Sequence, residues 1–286
     1  MNSDTFGIGI HGTGIMGRRM LAALQQHPRF RAVAAWDPDT RALQSALGQA
    51  QTQAKTAQST ATARAMARIC NDERASFGGM SGHDRKTLSL SGLPFAVNFP
   101  FARGTASRRM REIVRGGDLG PIESATVRLR FARWPRDWQA GASAWLAGPA
   151  EGGFTREVLS HFAFQSLRLF GPAAVADVEL QRAPGQAETA LCARWIHPDV
   201  QVLVDAAVAG ESADGNRFEV LGERGRVALT AWSRLEYQGH TSERVDNTAQ
   251  TLDGLAALLE GQAAHGLATI DEATAVVRCV ESMLRP

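Results

Sequence analysis

The stretch that decides the fold lies near the start of the chain, where Phe6–Gly17 reads FGIGIHGTGIMG. Its first half, Phe6–His11, has the pattern of a short buried strand. A helical stretch, Arg18–His27, follows the glycines, and a second apolar run, Ala32–Trp36, ends on Asp37. The order is therefore strand, G-x-G-x-x-G, helix and strand, with an acid 20 residues after the last glycine.

Each glycine of this turn has a separate physical task. Gly12 permits the tight turn, Gly14 lets a diphosphate approach the backbone, and Gly17 lets the helix pack closely. The start of the helix adds unpaired N–H groups and the positive end of its dipole. Asp37 would accept hydrogen bonds from the adenosine ribose, which favours NAD, whereas NADP would need Arg41 to pair with its 2′-phosphate. The pattern predicts a dinucleotide site made of Gly12, Thr13, Gly14, Ile15, Met16, Gly17 and Asp37. The alternative is that the glycines only shape a turn.

Composition excludes several classes of protein. A chain of 286 residues suits two domains, and a formal charge of +2 without a basic stripe argues against nucleic acid as a partner. No apolar run approaches the roughly 20 residues of a membrane span, and we expect no signal peptide. Cys70, Cys192 and Cys279 are far apart and form no C-x-x-C, so neither a disulfide framework nor a metal site is predicted. We expect a cytoplasmic protein.

The region after Asp37 is unusual. Asp39–Ile69 has the pattern of one or two polar helices, and Asn71–Ser91 has no regular pattern. A buried parallel sheet needs Val, Ile and Leu runs, which residues 38–92 lack. We therefore predict a Rossmann domain over residues 1–118, possibly short of strands, in which 38–92 is irregular or truncated. The alternatives for 38–92 are a deletion or frameshift, and natural divergence.

Residues 119–286 form the predicted second domain, which would bind substrate and join subunits. Alternating apolar residues and turn dipeptides such as Asp214-Gly215 indicate a large, mostly antiparallel open sheet. Two amphipathic helices, near Asn247–Glu260 and Ile270–Leu284, close the chain. The predicted fold class is thus α/β followed by α+β.

These pieces together resemble the glucose–fructose oxidoreductase / inositol dehydrogenase / MocA (Gfo/Idh/MocA) family. Besides the glycine turn, the similar segments are Ala96–Phe99 with Arg108–Gly120, Gly152–His161, Phe218–Gly225 and Thr269–Ala273. The resemblance implies an NAD(P)-dependent oxidoreductase that acts on a sugar, a polyol or a related small molecule. It also implies homodimers or homotetramers joined through the open sheet.

One element of that family is missing. Its Glu-Lys-Pro motif supplies a lysine that binds the reacting hydroxyl, but this chain has only Lys55 and Lys86, and neither has those neighbours. The upstream Thr-Pro-Pro strand end is also absent. An enzyme that works without this lysine and a catalytically dead relic that binds the cofactor or forms oligomers therefore both remain hypotheses. No DNA-binding segment supports a third, a transcriptional or metabolite sensor.

The candidate catalytic residues are Glu157 and His161, four positions apart on a predicted helix after Gly152-Gly153. The family has Asp-x-x-x-His here, which implies that His161 takes the hydroxyl proton while Glu157, in place of Asp, orients the ring. Histidine suits this task because its ordinary pKa lies close to working pH. The alternative is a plain helix-surface pair.

Asn98 and Arg103 are tentative substrate ligands, because they follow a predicted strand where ligands of open sheets collect. Solvated loop residues are the alternative. Trp134, Trp138 and Trp145 could form an aromatic floor for a sugar ring, but core packing or subunit contact is the favoured interpretation.

Overall fold

The computed structural model describes residues 5–37, 39–41, 43–44, 68–70 (backbone), 94–208 and 213–285. Lys55, Lys86 and Asn71–Ser91 lie outside these residues, as does most of the segment 38–92. The chain divides into two compact units, Met1–Asn98 with Thr248–Leu267 and Phe99–Asn247 with Ala268–Pro286.

Helices and strands are numbered along the chain within the described residues. The α-helices are α1 (Ile15–Gln26), α2 (Pro100–Arg103), α3 (Thr105–Arg115), α4 (Ser143–Leu146), α5 (Ser160–Phe170), α6 (Thr248–Leu259) and α7 (Ile270–Leu284). A 3-10 segment spans Asp137–Ala142 and a π-helical turn spans Thr155–Leu159. The strands are β1 (Phe6–His11), β2 (Phe30–Trp36), β3 (Arg68–Cys70), β4 (Phe95–Val97), β5 (Ile122–Phe131), β6 (Ala174–Arg182), β7 (Glu188–Ile196), β8 (Gln201–Val208), β9 (Gly215–Gly222), β10 (Gly225–Thr230), β11 (Arg234–Tyr237) and β12 (His240–Thr241).

The first unit contains two parallel strand pairs within its described residues, β1 with β2 and β3 with β4. Helix α1 connects β1 to β2, which is the βαβ arrangement that the glycine pattern predicts. Residues 68–70 are an exception, because the sequence pattern places them at the end of a helix. They form β3 instead, since pairing with β4 outweighs the local composition.

The core of the first unit lies between the β1–β2 pair and two helices, α1 and α6. Leu24 of α1 and Leu252 of α6 are fully buried in it. Each such side chain contributes about 1.5–3 kcal/mol through burial. The buried members are Ile10, Met20, Leu21, Leu24, Phe30, Ala96, Leu252, Leu255, Ala256 and Leu267.

The second unit is built on an eight-stranded sheet with the order β12-β11-β10-β9-β5-β8-β7-β6. Only β5 and β8 pair in parallel, and the other neighbours are antiparallel. Alternate residues of β5, such as Val127 and Leu129, are fully buried on one face. The opposite face carries polar residues such as Arg128 and Arg130, so the predicted large, mostly antiparallel open sheet is confirmed.

The division of the chain differs from the predicted boundary at residue 118. Helix α3 belongs to the second unit, where Met110 and Ile113 are fully buried and Arg111 donates to Gln165 of α5 at 2.8 Å. Helix α6 belongs to the first unit, because its apolar face completes the core beside α1. The amphipathic pattern of α6 shows that one face is buried but not against which element.

Candidate functional site

The turn between β1 and α1 has the geometry that its glycines predict. Gly12 adopts φ +91°, which side-chain-bearing residues rarely do. A Cβ on Gly17 would lie 1.9 Å from the carbonyl oxygen of Gly12, so Gly17 lets the first turn of α1 close against the chain that enters it. The close contact of Gly17 is therefore with the turn itself.

Gly14 leaves open space above the backbone. No heavy atom lies within 4 Å of a Cβ built on it. Gly14 is also the N-cap of α1, and no side chain caps the helix. The first N–H groups of a helix have no intrahelical acceptors, and they carry the positive end of its dipole. This end of α1 therefore fits an anionic group such as a diphosphate.

Asp37 lies against the same turn. Its Oδ2 accepts hydrogen bonds from the Thr13 backbone N–H and, at 2.9 Å, from the Thr13 hydroxyl. Its Oδ1 accepts from the Asp39 N–H at 2.8 Å. Burial acts to raise the pKa of Asp37, but these hydrogen bonds outweigh burial and lower it. Asp37 is therefore a stable carboxylate beside the turn, and the Thr13 amide is already engaged by it.

In the second unit, the segment that carries Glu157 and His161 begins with two glycines that closely approach neighbouring atoms. A Cβ on Gly152 would lie 2.3 Å from the Trp145 carbonyl oxygen, and one on Gly153, at φ +95°, would lie 2.2 Å from a Glu188 carboxylate oxygen. The π-helical turn Thr155–Leu159 follows and leads into α5. π-Helical turns occur often at functional sites.

The structure does not join Glu157 to His161 by a hydrogen bond. Oε1 of Glu157 accepts from Gln139 Nε2 at 2.9 Å and from Arg136 Nη2 at 3.5 Å. Nδ1 of His161 is buried without a hydrogen-bond partner. Glu157 therefore forms an ion pair with Arg136, and the imidazole ring of His161 is held by contacts with other side chains.

His161 lies among aromatic rings. It meets Phe99 edge to face, with ring centroids 5.6 Å apart, and Trp232 at the same separation and an interplanar angle of 73°. Burial, together with the nearby positive charge of Arg136, lowers the pKa of His161 to about 4. The ring is therefore neutral at physiological pH. A neutral imidazole can accept a proton, so the group is chemically able to act as a base.

Two of the tryptophans pack on Arg136. Its guanidinium carbon lies 5.3 Å from the Trp134 ring centroid and 4.6 Å from that of Trp138. These two rings thus contact a cation, and their role as a floor for a sugar ring stays a hypothesis. Arg136, Gln139 and Trp232 were not among the predicted site residues. The position of Arg136 between Trp134 and Trp138 in the sequence could have indicated a contact between the cation and the rings. Nothing in the sequence pattern points to Trp232.

Asn98 and Arg103 belong to different units. Asn98 follows the carboxyl end of β4, and Arg103 ends α2. The α2 segment is held firmly, since Arg111 donates to the carbonyl oxygens of Phe101 at 3.1 Å and Ala102 at 3.2 Å. The roles of Asn98 and Arg103 as substrate ligands stay predictions.

The described part of the chain contains no group of three or more His, Cys, Asp or Glu side chains that could hold a metal ion. No helix within the described ranges is long and apolar enough to cross a membrane.

A Rossmann-like unit with a glycine turn, together with a unit built on a large open sheet, defines the class of this protein. Residues 107–228 match the GFO/IDH/MocA C-terminal domain. This match confirms the resemblance drawn from the sequence. The comparison with curated proteins gave no match.

Solved structures share the fold over nearly the whole chain. The WlbA dehydrogenase from Bordetella pertussis is 16% identical, with 98% of this chain and 97% of that chain covered and a TM-score of 0.76. An oxidoreductase from Thermotoga maritima is 14% identical, with 98% and 96% covered and a TM-score of 0.76. One from Agrobacterium radiobacter is 14% identical, with 98% and 95% covered and a TM-score of 0.73.

Proposed function

We propose that this protein is an NAD(P)-dependent oxidoreductase of the Gfo/Idh/MocA type that acts on a sugar, a polyol or a related hydroxyl or carbonyl compound. The observation that carries the proposal is the turn before α1, where open space above Gly14 meets an uncapped helix N-terminus beside Asp37. Two structures of the same fold support it. The B. pertussis dehydrogenase was solved with NADH and UDP-GlcNAcA, and the A. radiobacter oxidoreductase with NAD⁺, L-tartaric acid and magnesium.

The residues of the turn suit NAD better than NADP. Gly14, Ile15 and Met16 would hold the diphosphate at the start of α1. Asp37 would accept hydrogen bonds from the ribose hydroxyls. The lowered pKa of Asp37 keeps it charged, so a 2′-phosphate would be repelled. NADP would require that Arg41, which is exposed near Asp37, pair with that phosphate. The nicotinamide, when bound, supplies the hydride acceptor or donor.

The proposed base is His161. Because Nδ1 is buried while the residue as a whole is partly exposed, Nε2 is the nitrogen that would take the proton of the substrate hydroxyl. Arg136 lowers the pKa of His161, and Glu157 balances Arg136. In this proposal Glu157 therefore acts on the base through Arg136 and Gln139.

The second candidate is a relic that binds the cofactor or forms oligomers without turnover. It is favoured by the absence of a Glu-Lys-Pro motif around Lys55 and Lys86. The missing bond between Glu157 and His161 points in the same direction. Binding of cofactor without turnover of any substrate would support this candidate.

We also propose a cytoplasmic homodimer or homotetramer joined through the open face of the eight-stranded sheet. Leu203 and Leu221 are 49% and 38% exposed on that face. The same face carries ion pairs such as Arg130–Asp205, at 2.5 Å.

NADH fluorescence tests the cofactor proposal. Wild-type protein should bind NADH, and Gly14→Asp should weaken binding about tenfold or more, because its carboxylate would stand where the diphosphate belongs. The matched control is Gly141→Asp, which adds the same charge at another glycine with open space above it. Absence of NADH binding to the wild-type protein would refute the proposal.

Turnover separates the two candidate functions. A panel of sugars and polyols is screened for NAD(P)⁺ reduction, and the best substrate is then tested with His161→Ala. A loss of about 10²–10⁴ in kcat is expected for removal of a general base. Full turnover by His161→Ala would show that another group is the base.

A further inference from the structure

The hairpin between β10 and β11 has an unusual backbone. Ala231 and Trp232 both have positive φ, +46° and +69°. Glycine and asparagine normally occupy such positions, because a Cβ is strained there. A bulky aromatic residue in this conformation is an outlier, and outliers of this kind concentrate at functional sites. The hairpin therefore holds Trp232 in a conformation that the residue itself disfavours.

Neighbouring groups hold the strained turn in place. The Trp232 N–H donates to Asn216 Oδ1 at 3.0 Å, and the buried Ser233 hydroxyl accepts from the Val245 N–H at 3.1 Å. The indole packs on the rings of Phe101, at 5.8 Å, and Phe162, at 5.6 Å. The result of this scaffold is a fixed indole whose ring centroid lies 5.6 Å from that of His161.

The residues around His161 suit a ligand that has an apolar, uncharged surface. Phe99 and Trp232 are its aromatic neighbours, and the charge of Arg136 is balanced by Glu157. Both His161 and Trp232 are partly exposed, and their ring centroids lie 5.6 Å apart. An indole face binds the C–H face of a ring, while the hydroxyls at the edge of that ring stay free for polar groups.

We propose that Trp232 is a substrate-positioning residue that selects an uncharged, ring-shaped polyol or sugar and aims one of its hydroxyls at His161. The inference rests on the proposed function for the reaction itself, but binding of the ring needs only the second unit. An open-chain polyol lacks a rigid C–H face, and it therefore gains less from the indole.

The test uses two probes with equal numbers of hydroxyls, the ring myo-inositol and the open chain galactitol. Binding is followed by NMR through the His161 ring protons, with and without NADH. Wild-type protein should bind myo-inositol about fivefold or more tightly than galactitol. Trp232→Phe should keep most of this preference. Trp232→Leu should lose it, because leucine keeps an apolar side chain beside Phe101 and Phe162 but offers no aromatic face.

Ala231→Gly is the matched control, since it relieves strain beside Trp232 and leaves the indole in place, so its ring preference should equal that of the wild type. The proposal is overturned if the wild type binds neither probe, if it binds both equally, or if Trp232→Leu retains the preference. A protein that binds myo-inositol through Trp232 but fails to bind NADH would support this inference and refute the proposed oxidoreductase function.

Discussion

At the residue scale, His161 and His197 differ in whether their ring nitrogens have hydrogen-bond partners. His197 is buried, with one ring nitrogen 2.8 Å from the Ser166 hydroxyl and the other 2.9 Å from the Gly171 carbonyl oxygen. Nδ1 of His161 has no partner. A buried polar atom left unpaired costs about 1–3 kcal/mol, so Nδ1 of His161 lowers the free energy of unfolding.

Replacement of each histidine by phenylalanine should therefore have opposite effects. His161→Phe should raise the free energy of unfolding by about 1 kcal/mol, because an apolar ring suits the contacts with Phe99 and Trp232. His197→Phe should lower it by about 1–3 kcal/mol, because Ser166 and Gly171 lose their partner. Urea denaturation of the three proteins measures both values. A His161→Phe protein less stable than His197→Phe would contradict the assignment.

The lowered pKa of His161 also predicts a pH dependence. Below pH 6.5, the ordinary pKa of histidine, His161 binds a proton in the unfolded chain. In the folded protein its pKa is about 4, so it stays neutral there until the pH is much lower. Stability is therefore lost as the pH falls from 6.5 towards 4. Between pH 7 and pH 5 the wild type should lose about 2 kcal/mol more than His161→Phe, which lacks the group. Equal losses in the two proteins would show that the pKa is not lowered.

The β1–turn–α1 unit shows at the element scale why two glycines of one motif differ. Alanine normally stabilises a helix by about 1 kcal/mol relative to glycine. At Gly17 that gain is outweighed, because the new Cβ would lie 1.9 Å from a backbone oxygen that cannot move away alone. Gly14, at φ −60° with open space above it, has no such conflict.

Alanine at the two positions should separate folding from binding. Gly17→Ala should lower the free energy of unfolding by several kcal/mol, as expected of a forced backbone shift. Gly14→Ala should change it by less than about 0.5 kcal/mol and still weaken NADH binding. Thermal melts and NADH titrations on the same samples give both quantities. A stable Gly17→Ala protein would mean that the turn closes differently.

Most regular elements were predictable because they depend on local patterns. Strand β1 and helix α7 have the predicted bounds, Phe6–His11 and Ile270–Leu284. The spacing also placed Asp37 at the glycine turn. The bond from Gln139 to Glu157 and the Asn216 contact that holds Trp232 were not predictable. Each joins residues about 16–18 positions apart, and tertiary packing alone brings them together.

On the scale of the whole molecule, the chain leaves the first unit after Asn98 and returns to it at Thr248. The sequence periodicity predicted that α6 has an apolar face. It did not predict that this face packs in the first unit, because the preceding 149 residues belong to the second unit. The catalytic candidates Glu157 and His161 thus belong to the second unit, while the glycine turn and Asp37 belong to the first.

The open face of the eight-stranded sheet is the proposed subunit interface. Leu203 pairs with Thr126 of β5, and Leu221 pairs with Ser124 of the same strand, so both leucines share the face that α-helices do not cover. The ion pairs of Arg217 with Glu219 and Glu236 extend this face. A monomer that exposed these leucines would gain by burying them against a second copy, at about 25 cal/mol per Å².

A charge placed in this interface should dissociate the oligomer. Leu203→Glu with Leu221→Glu would put like charges opposite each other across a symmetric contact, so the double variant should sediment as a monomer while it binds NADH as the wild type does. Val245→Glu is the control, because Val245 is similarly exposed, at 39%, but lies outside the strands of the sheet. Analytical ultracentrifugation at micromolar protein measures the change. A monomeric wild type would refute the proposed oligomer, and a double variant that stays oligomeric would place the interface elsewhere.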